Sequence, residues 1–202
     1  MNLGNYSETN HDLNHLYSRI LADRNQRSIT MFEFDPERHY PRETESRVVI
    51  RFQDCDPLQH LNNAKYFDYF FNAREDQVPK LYGVEMIDFI RKYNAAWVIY
   101  NHNISYIRPA KVGEWVRVMS RVIWHDHQSV VVEYYMTDDS KEELKTLMWT
   151  TMRYVHIKDG KSTPHEGAVA DFLKAVSDSL DISNLSIRDR IKEIKVQLAK
   201  GT

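Results

Sequence analysis

The segment that decides the fold reads Asp54-Cys-Asp-Pro-Leu-Gln-His-Leu-Asn-Asn-Ala-Lys-Tyr66, and it joins two stretches of different hydrophobic periodicity. Before it, Val48, Ile50 and Phe52 alternate with polar residues, which is the period-two pattern of a half-buried strand. After it, aromatic and apolar residues recur at helical spacing from 63 to 82. The segment is therefore predicted to lie at a strand-to-helix junction.

The chain beyond this helix is rich in residues that favour strands. Pro79 and Gly83 end the helical pattern. Strand-like stretches follow, separated by short breaks that contain Pro, Gly, Asp or Ser; they are Ala95–Ile107, Glu114–Trp124, Ser129–Thr137 and Leu144–Ile157. Because strands joined by short turns pair as meanders, the simplest packing wraps one antiparallel sheet around one long helix. The sequence therefore predicts an α+β domain.

The two ends of the chain differ from this middle part. Residues 1–44 are polar, and apolar residues at helical spacing near 9–24 predict a partly helical N-terminal extension. Residues 161–202 carry two apolar stripes at helical spacing, which predict a C-terminal helical extension; the stripes are Val169, Phe172, Leu173, Val176, Leu180 and Ile187, Ile191, Ile194, Leu198. We expect the second helix to dock on the protein body or on a second subunit. The domain proper is then 45–160.

The composition indicates a globular protein. The 202-residue chain is 42% hydrophobic and contains 12 Tyr, 8 Phe and 4 Trp, so a mostly disordered chain is excluded. A net charge of −2 gives no field for gathering nucleic acid or an anionic membrane. The single cysteine excludes an internal disulfide, and the longest uncharged run, Tyr93 to Ile107, is too short to span a bilayer. With no visible secretory signal, we expect a soluble cytoplasmic protein.

The junction combines side chains that acid–base chemistry uses. Asp56, His60, Asn62 and Asn63 lie within eight residues, beside the free N–H groups of a helix start, where negative charge is favoured. The carboxylate supplies a general base or a nucleophile, and the other groups supply a donor for a developing oxyanion. A structural interpretation is also open, with Asn62 or Asn63 as the helix N-cap and Asp56 as a turn former.

The same run resembles the signature of the 4-hydroxybenzoyl-CoA thioesterase-like hotdog family, which is roughly D-x-D-x-x-x-H-x-N-N-x-x-Y. Its part Gln59–Phe67 is most similar to the acyl-CoA thioesterase branch. The resemblance covers residues 46–157 and includes Phe70, Arg74 and Gly113. It implies the hotdog fold, in which an antiparallel sheet wraps around one long helix; helical N- and C-terminal extensions are added in this chain.

The resemblance also implies a site and an activity. By position in the motif, Asp56 is the catalytic carboxylate, and the backbone N–H of Asn63 polarises the thioester carbonyl at the helix start. His60 orients the Asp56 loop or contacts the substrate. The implied reaction is hydrolysis of an acyl-CoA to free acid and CoA, with Asp56 attacking the carbonyl or activating a water. This chemistry needs no metal and no bound cofactor.

The resemblance leaves two other functions open, and the open sheet edge predicts an oligomer. A thioesterase acting on acyl carrier protein stays open, as does a non-catalytic module that binds acyl-CoA, although the intact Asp56 argues against the latter. One sheet on one helix leaves an open edge strand, and hotdog relatives pair their sheets edge to edge. We therefore expect a homodimer or homotetramer, with no nucleic-acid partner and no membrane insertion.

Neighbouring residues are weaker candidates. Asp54 is expected to brace the loop. Cys55 lies between two acids, which raise the pKa of a thiol and make it a poor nucleophile. His125 and His127 have ligand-like spacing, but they fall in a predicted turn with no obvious third ligand, so a metal site is disfavoured.

Overall fold

The computed structural model describes residues 33–201, which form one sheet with a long helix on one face and a shorter helix on the other. The elements along the chain are β1 Glu43–Val49, α1 Tyr66–Tyr82, α2 Met86–Tyr93, β2 Ala95–Tyr106, β3 Trp115–His125, β4 Ser129–Asp138, β5 Leu144–His156, α3 Ala168–Val176 and α4 Ile187–Ala199. The helix predicted near 9–24 lies outside the described residues. Within 33–201, no helix is long and apolar enough to cross a membrane.

The five strands form one antiparallel sheet in the order β1-β3-β4-β5-β2. Strands β3, β4 and β5 follow one another as a meander, while β1 and β2 become the two edges. The four strands predicted after the helix agree with the observed β2 to β5 to within one residue at each end. The predicted α+β domain with one antiparallel sheet is therefore confirmed.

Helix α1 packs on one face of the sheet, which we call the inner face. Tyr66, Phe70 and Ala73 are buried at four- and three-residue spacing, so one side of the helix faces the core. Gly83 ends the helix in a left-handed conformation, with φ of +69° and its N–H bonded to the Pro79 carbonyl. Pro79 itself lies inside the last turn, so Gly83 is the residue at which the helix ends.

Helix α4 covers the opposite, outer face. Ile194 of this helix is 1% exposed. It belongs to a second apolar cluster between α4 and the sheet, formed with Met119, Tyr135, Leu144 and Leu147. The predicted docking of this helix on the protein body is what the structure shows.

A buried carboxylate fixes α4 to the sheet. Glu133 of β4 is fully buried on the outer face and accepts hydrogen bonds from Arg121 of β3 at 2.8 and 2.9 Å. Trp149 of β5 donates its indole N–H to the same carboxylate at 2.9 Å, and Arg190 of α4 donates at 3.0 and 3.1 Å. We call these four residues the Glu133 cluster. Because a buried charge is costly unless it is paired, Arg190 is a main determinant of where α4 docks.

Two segments differ from the sequence-based expectation. The first strand ends at Val49, and a 3-10 turn follows at Phe52–Asp54, so Phe52 is 83% exposed and the prediction that it lies on a half-buried strand is wrong. The apolar alternation extends beyond the strand as far as Ile50, which is buried and whose N–H donates to the Glu114 carbonyl. Helix α2 was not predicted; Met86, Phe89, Ile90 and Tyr93 recur at helical spacing, but the pattern extends over only eight residues.

Candidate active site

Asp56, the predicted catalytic residue, lies in a tight turn between β1 and α1. Its Oδ1 accepts hydrogen bonds from the backbone N–H groups of Leu58 at 2.9 Å and His60 at 3.1 Å. The Asp56 N–H donates to the His60 carbonyl at 2.8 Å, and Gln59 takes a left-handed φ of +62° to close the turn. Oδ2 accepts no hydrogen bond from any residue between 33 and 201. One oxygen therefore fixes the orientation of the carboxylate, and the other is available to a substrate.

Asp54 ties this turn to α1. Its carboxylate accepts a hydrogen bond from the Tyr69 hydroxyl at 3.0 Å and lies 3.8 Å from the Lys65 ammonium. Its backbone carbonyl accepts from the Asn62 N–H at 2.9 Å. Burial of Tyr69, together with the neighbouring Asp54, raises the pKa of Tyr69 to about 12, so its hydroxyl stays a donor at neutral pH. The contacts of Asp54 are those of a structural brace.

The helix start leaves one backbone donor without a partner. Asn62 is the N-cap: its Oδ1 accepts from the Ala64 N–H at 3.0 Å, and its carbonyl accepts from the Lys65 N–H at 2.8 Å. The N–H of Asn63 donates to no residue that the structure describes, and Asn63 is exposed. The Asn63 N–H, which is the donor that the motif implies, is thus available to a ligand. The alternative interpretation, a helix N-cap, is correct for Asn62.

His60 connects the Asp56 turn to the loop before β3. Its backbone bridges to Lys111, the Leu61 N–H donates to the Ala110 carbonyl at 2.8 Å, and the Val112 N–H donates to Gln59 at 3.0 Å. The imidazole is half-buried and forms no hydrogen bond with the described part of the chain. The backbone of His60 is therefore held in place, and its ring nitrogens are available to a ligand.

The weaker candidates have structural surroundings. Burial raises the pKa of the Cys55 thiol, and the charges of Asp54 and Asp56 raise it further, as the sequence indicated. The thiol donates to the Arg51 carbonyl at 3.3 Å. Asp126, between the two turn histidines, accepts from the Gln128 and Ser129 N–H groups. Among residues 33–201, no three His, Cys, Asp or Glu side chains are grouped so that they could hold a metal ion.

Two tyrosines outside the motif, Tyr69 and Tyr106, form hydrogen bonds with residues of this junction. Tyr69 binds Asp54, and the Tyr106 hydroxyl donates to the Asn63 carbonyl at 3.0 Å. A tyrosine one helical turn after the motif is a signal that could have identified Tyr69. No local pattern identifies Tyr106, because it lies 43 residues from its partner.

The family of the chain follows from a comparison with family models. The model of the thioesterase-like superfamily matches residues 50–176. The chain belongs to the thioesterase-like superfamily. The match contains the Asp56 turn, α1 and strands β2 to β5, and it continues through α3, past the residue 157 at which the motif-based resemblance ended. Membership of this superfamily confirms the predicted family and the prediction of a thioesterase-type enzyme.

Individual members of the superfamily agree with this assignment. The long-chain acyl-CoA thioesterase FadM of Escherichia coli (strain K12) is 24% identical over 130 residues, which are 64% of this chain and 96% of FadM. The crystal structure of YbaW, a probable thioesterase from Escherichia coli, has a TM-score of 0.59 and 22% identity, covering 66% of this chain and 98% of that one. The DHNA-CoA thioesterase of Staphylococcus aureus has a TM-score of 0.57 and 18% identity, covering 79% and 95%. These structural likenesses confirm the predicted hotdog fold.

Proposed function

We propose that this protein is an acyl-CoA thioesterase, which hydrolyses an acyl-CoA thioester to free acid and CoA. One observation carries the proposal: Oδ2 of Asp56 and the N–H of Asn63 lie on one short junction, and neither has a partner among residues 33–201. Hydrolysis of a thioester needs a carboxylate to attack or to act as base, and a donor for the carbonyl oxygen. FadM, a long-chain acyl-CoA thioesterase, supports the substrate class.

The helix start supplies the electrostatic part of the mechanism. The carbonyl oxygen of the thioester accepts a hydrogen bond from the Asn63 N–H, and negative charge develops on this oxygen as the carbonyl is attacked. The helix macrodipole of α1 and a donor already held in position both favour that charge. Removal of one such donor typically lowers the rate by ~10²–10³.

The Asp56 carboxylate supplies the chemical step by one of two routes. As a nucleophile, Oδ2 bonds to the carbonyl carbon, CoA leaves as a thiolate, and water then hydrolyses the mixed anhydride. As a general base, Oδ2 takes a proton from a water that attacks the carbonyl directly, and CoA again leaves. A single turnover in heavy-oxygen water tests the nucleophilic route: label in the Asp56 carboxylate requires the anhydride, because the general-base route puts the label only into the acid product.

His60 is proposed as a substrate-binding residue beside this carboxylate. Its N–H donates to Oδ1 of Asp56 at 3.1 Å, which fixes the distance between the His60 backbone and the carboxylate. Its half-buried ring has donors or acceptors to offer to the pantetheine amides or to the thioester. This role places His60 in ground-state binding, so its loss is expected to raise KM more than it lowers kcat.

The test of the proposed function is a hydrolysis screen. Purified protein is mixed with aliphatic and aromatic acyl-CoAs, and with the same acyl groups on acyl carrier protein, while released thiol is measured. We expect steady turnover of at least one CoA thioester. Hydrolysis confined to carrier-protein thioesters would instead identify the alternative thioesterase. Acyl-CoA binding without thiol release at micromolar protein would identify a non-catalytic acyl-CoA-binding module.

We also propose that the working unit is a homodimer formed along β2. This edge strand is 12 residues long, and its outward side has no strand beside it within the described chain. Val98, Ile99 and Tyr100 are 44%, 51% and 72% exposed there. A long open edge with exposed apolar residues favours pairing with another strand, and a second copy offers an identical one.

A further inference from the structure

We propose that Tyr106 is a positioning residue for hydrolysis: its hydroxyl holds the Asn63–Ala64 peptide group, and this keeps the first turn of the helix in the conformation that presents the preceding N–H, that of Asn63, to the thioester oxygen. The inference rests on the proposed function, in which Asn63 supplies that N–H. Tyr106 is the last residue of edge strand β2, so the inference also connects the sheet edge to the chemistry.

The contact has the geometry of a directed hydrogen bond. The Tyr106 hydroxyl donates to the Asn63 carbonyl oxygen at 3.0 Å. Its ring packs edge-on against the Tyr66 ring with 5.2 Å between centroids, and the Tyr66 hydroxyl in turn accepts from the Ala110 N–H at 3.3 Å. The position of the Tyr106 ring is therefore set by packing, and the hydroxyl can be removed without moving it.

Asn63 is restrained from both sides. On the N-terminal side, the Asn62 carbonyl, which shares a peptide group with the free N–H, accepts a hydrogen bond from the Lys65 N–H at 2.8 Å. On the C-terminal side, the Tyr106 hydroxyl binds its carbonyl. The free N–H lies between these two restraints. Without the Tyr106 hydroxyl, the Asn63–Ala64 peptide group keeps the bond from the Ala64 N–H to Asn62 but loses the restraint on its carbonyl. We expect the first turn, which presents the free N–H, then to sample a wider range of conformations.

Tyr106 can fulfil this role at any pH of an ordinary assay. Burial raises the pKa of its hydroxyl, and the neighbouring Tyr66 adds to the effect. The hydroxyl therefore stays protonated and donates. The residue is also 42% exposed, so it borders the open side of the junction, where a substrate enters.

The test compares Tyr106→Phe with Tyr135→Phe. Tyr135 lies on β4 and on the outer face, where its hydroxyl donates to the Glu43 carboxylate at 2.9 Å, so each variant loses one tyrosine hydrogen bond. We expect Tyr106→Phe to lower kcat about tenfold, less than the loss of a whole donor, with KM and the melting temperature unchanged. Tyr135→Phe keeps the kcat of wild type. A kcat of Tyr106→Phe within twofold of wild type would overturn the inference, as would a lower melting temperature with unchanged kcat, which indicates a purely structural role.

Asp56→Asn, measured on the same substrate, separates failure of this inference from failure of the proposed function. If wild type turns over, Asp56→Asn does not, and Tyr106→Phe matches wild type, the proposed function stands and only the role of Tyr106 is lost. If Asp56→Asn keeps the rate of wild type, the proposed mechanism is lost. A wild type that releases no thiol from any acyl-CoA overturns both.

Discussion

Asp54 and Asp56 are two places apart in the chain, and the hydrogen bonds around their carboxylates differ in kind. Asp54 accepts from the Tyr69 side chain and faces Lys65, both on the α1 side of the junction. Asp56 accepts from backbone N–H groups of its own turn. An asparagine keeps an acceptor for those N–H groups but has no negative charge and almost no basicity. Substitution of each aspartate by asparagine therefore distinguishes an effect on turnover from an effect on stability.

Asp56→Asn is expected to lower kcat by ~10²–10⁴, the usual loss for a positioned acid–base group. The asparagine Oδ1 still accepts from Leu58 and His60, so the turn persists and the free energy of unfolding changes by less than ~0.5 kcal/mol. Binding of acyl-CoA survives. Thiol release, calorimetric binding and thermal melting of one preparation give all three readouts. Turnover within threefold of wild type would remove Asp56 from the mechanism.

Asp54→Asn is the matched control. It weakens the bond to Tyr69 and removes the charge opposite Lys65, so we expect about 1 kcal/mol less stability and a parallel loss of activity. Stability and kcat then fall together, unlike in Asp56→Asn. An Asp54→Asn variant with normal melting and no activity would show that the two acids share the chemistry.

His165 predicts a pH dependence of stability. Its Nε2 accepts from the Trp97 indole at 3.0 Å and its Nδ1 donates to the Asp126 carbonyl at 3.0 Å, an arrangement that only the neutral ring satisfies. Burial, with help from the charges of His125 and His127, holds its pKa below the usual value of 6.5. As the pH falls, His165 is therefore protonated in the unfolded chain at a higher pH than in the folded protein. The free energy of unfolding that the neutral ring contributes is present above pH ~6.5 and is lost as the pH falls below that value.

The measurement is urea unfolding at several pH values between neutral and mildly acidic. Wild type should lose stability on acidification with a steeper slope than His165→Gln, which keeps a side-chain acceptor for Trp97 and does not titrate. His125 and His102 also have pKa values lowered by burial, so the variant keeps part of the slope. Equal slopes in the two proteins would show that His165 does not contribute.

At the scale of elements, apolar periodicity predicts the long helix and the strands, because local sequence determines them. Helix α1 and strands β2 to β5 were placed correctly because their apolar patterns are long and their breaks contain turn residues. Asp56, His60 and Asn63 could be predicted as one candidate site because they lie within eight residues of the chain. Tyr106 could not be found, because its contact with Asn63 depends on which strand end meets the helix start. Likewise, the sequence around Glu133 does not predict its contact with Arg190, because the two residues are 57 positions apart.

Arg190→Ala is expected to cost about 3 kcal/mol in the free energy of unfolding, because it leaves the buried carboxylate of Glu133 short of one cation. Arg188→Ala, on the exposed side of the same helix, should change it by less than ~0.5 kcal/mol. Both are measured by urea unfolding at neutral pH. If the two variants lose the same stability, α4 is held by its apolar stripe rather than by the Glu133 cluster.

At the scale of the whole molecule, the two sheet edges and the two faces are unequal. The inner face carries α1 and the outer face carries α4, so both are covered. Edge strand β2 is left with exposed apolar residues at Val98, Ile99 and Tyr100, and its last residue, Tyr106, donates a hydrogen bond to Asn63 at the start of α1. A partner along β2 would thus stabilise the strand end that borders the candidate active site.

The proposed dimer predicts a particle of at least twice the 24.0 kDa chain mass by light scattering at micromolar concentration. Ile99→Lys puts a charge on the edge of β2, where Ile99 is 51% exposed, and is expected to give monomers with reduced activity. Val196→Lys, at a 52% exposed position on α4, keeps the mass of wild type. A 24.0 kDa wild-type particle would refute the dimer, and an Ile99→Lys dimer would refute its location.

The Glu133 cluster also imposes an order on folding. Its three sheet residues come from β3, β4 and β5, so the receptor for Arg190 does not exist until these strands have paired. Helix α4 follows all of them in the chain, so on the ribosome the sheet is complete in sequence before α4 is made. We therefore expect α4 to dock after β3, β4 and β5 have paired. The reversal of this docking is a local opening, in which amides of α4 exchange with solvent hydrogen while those of β4 stay protected.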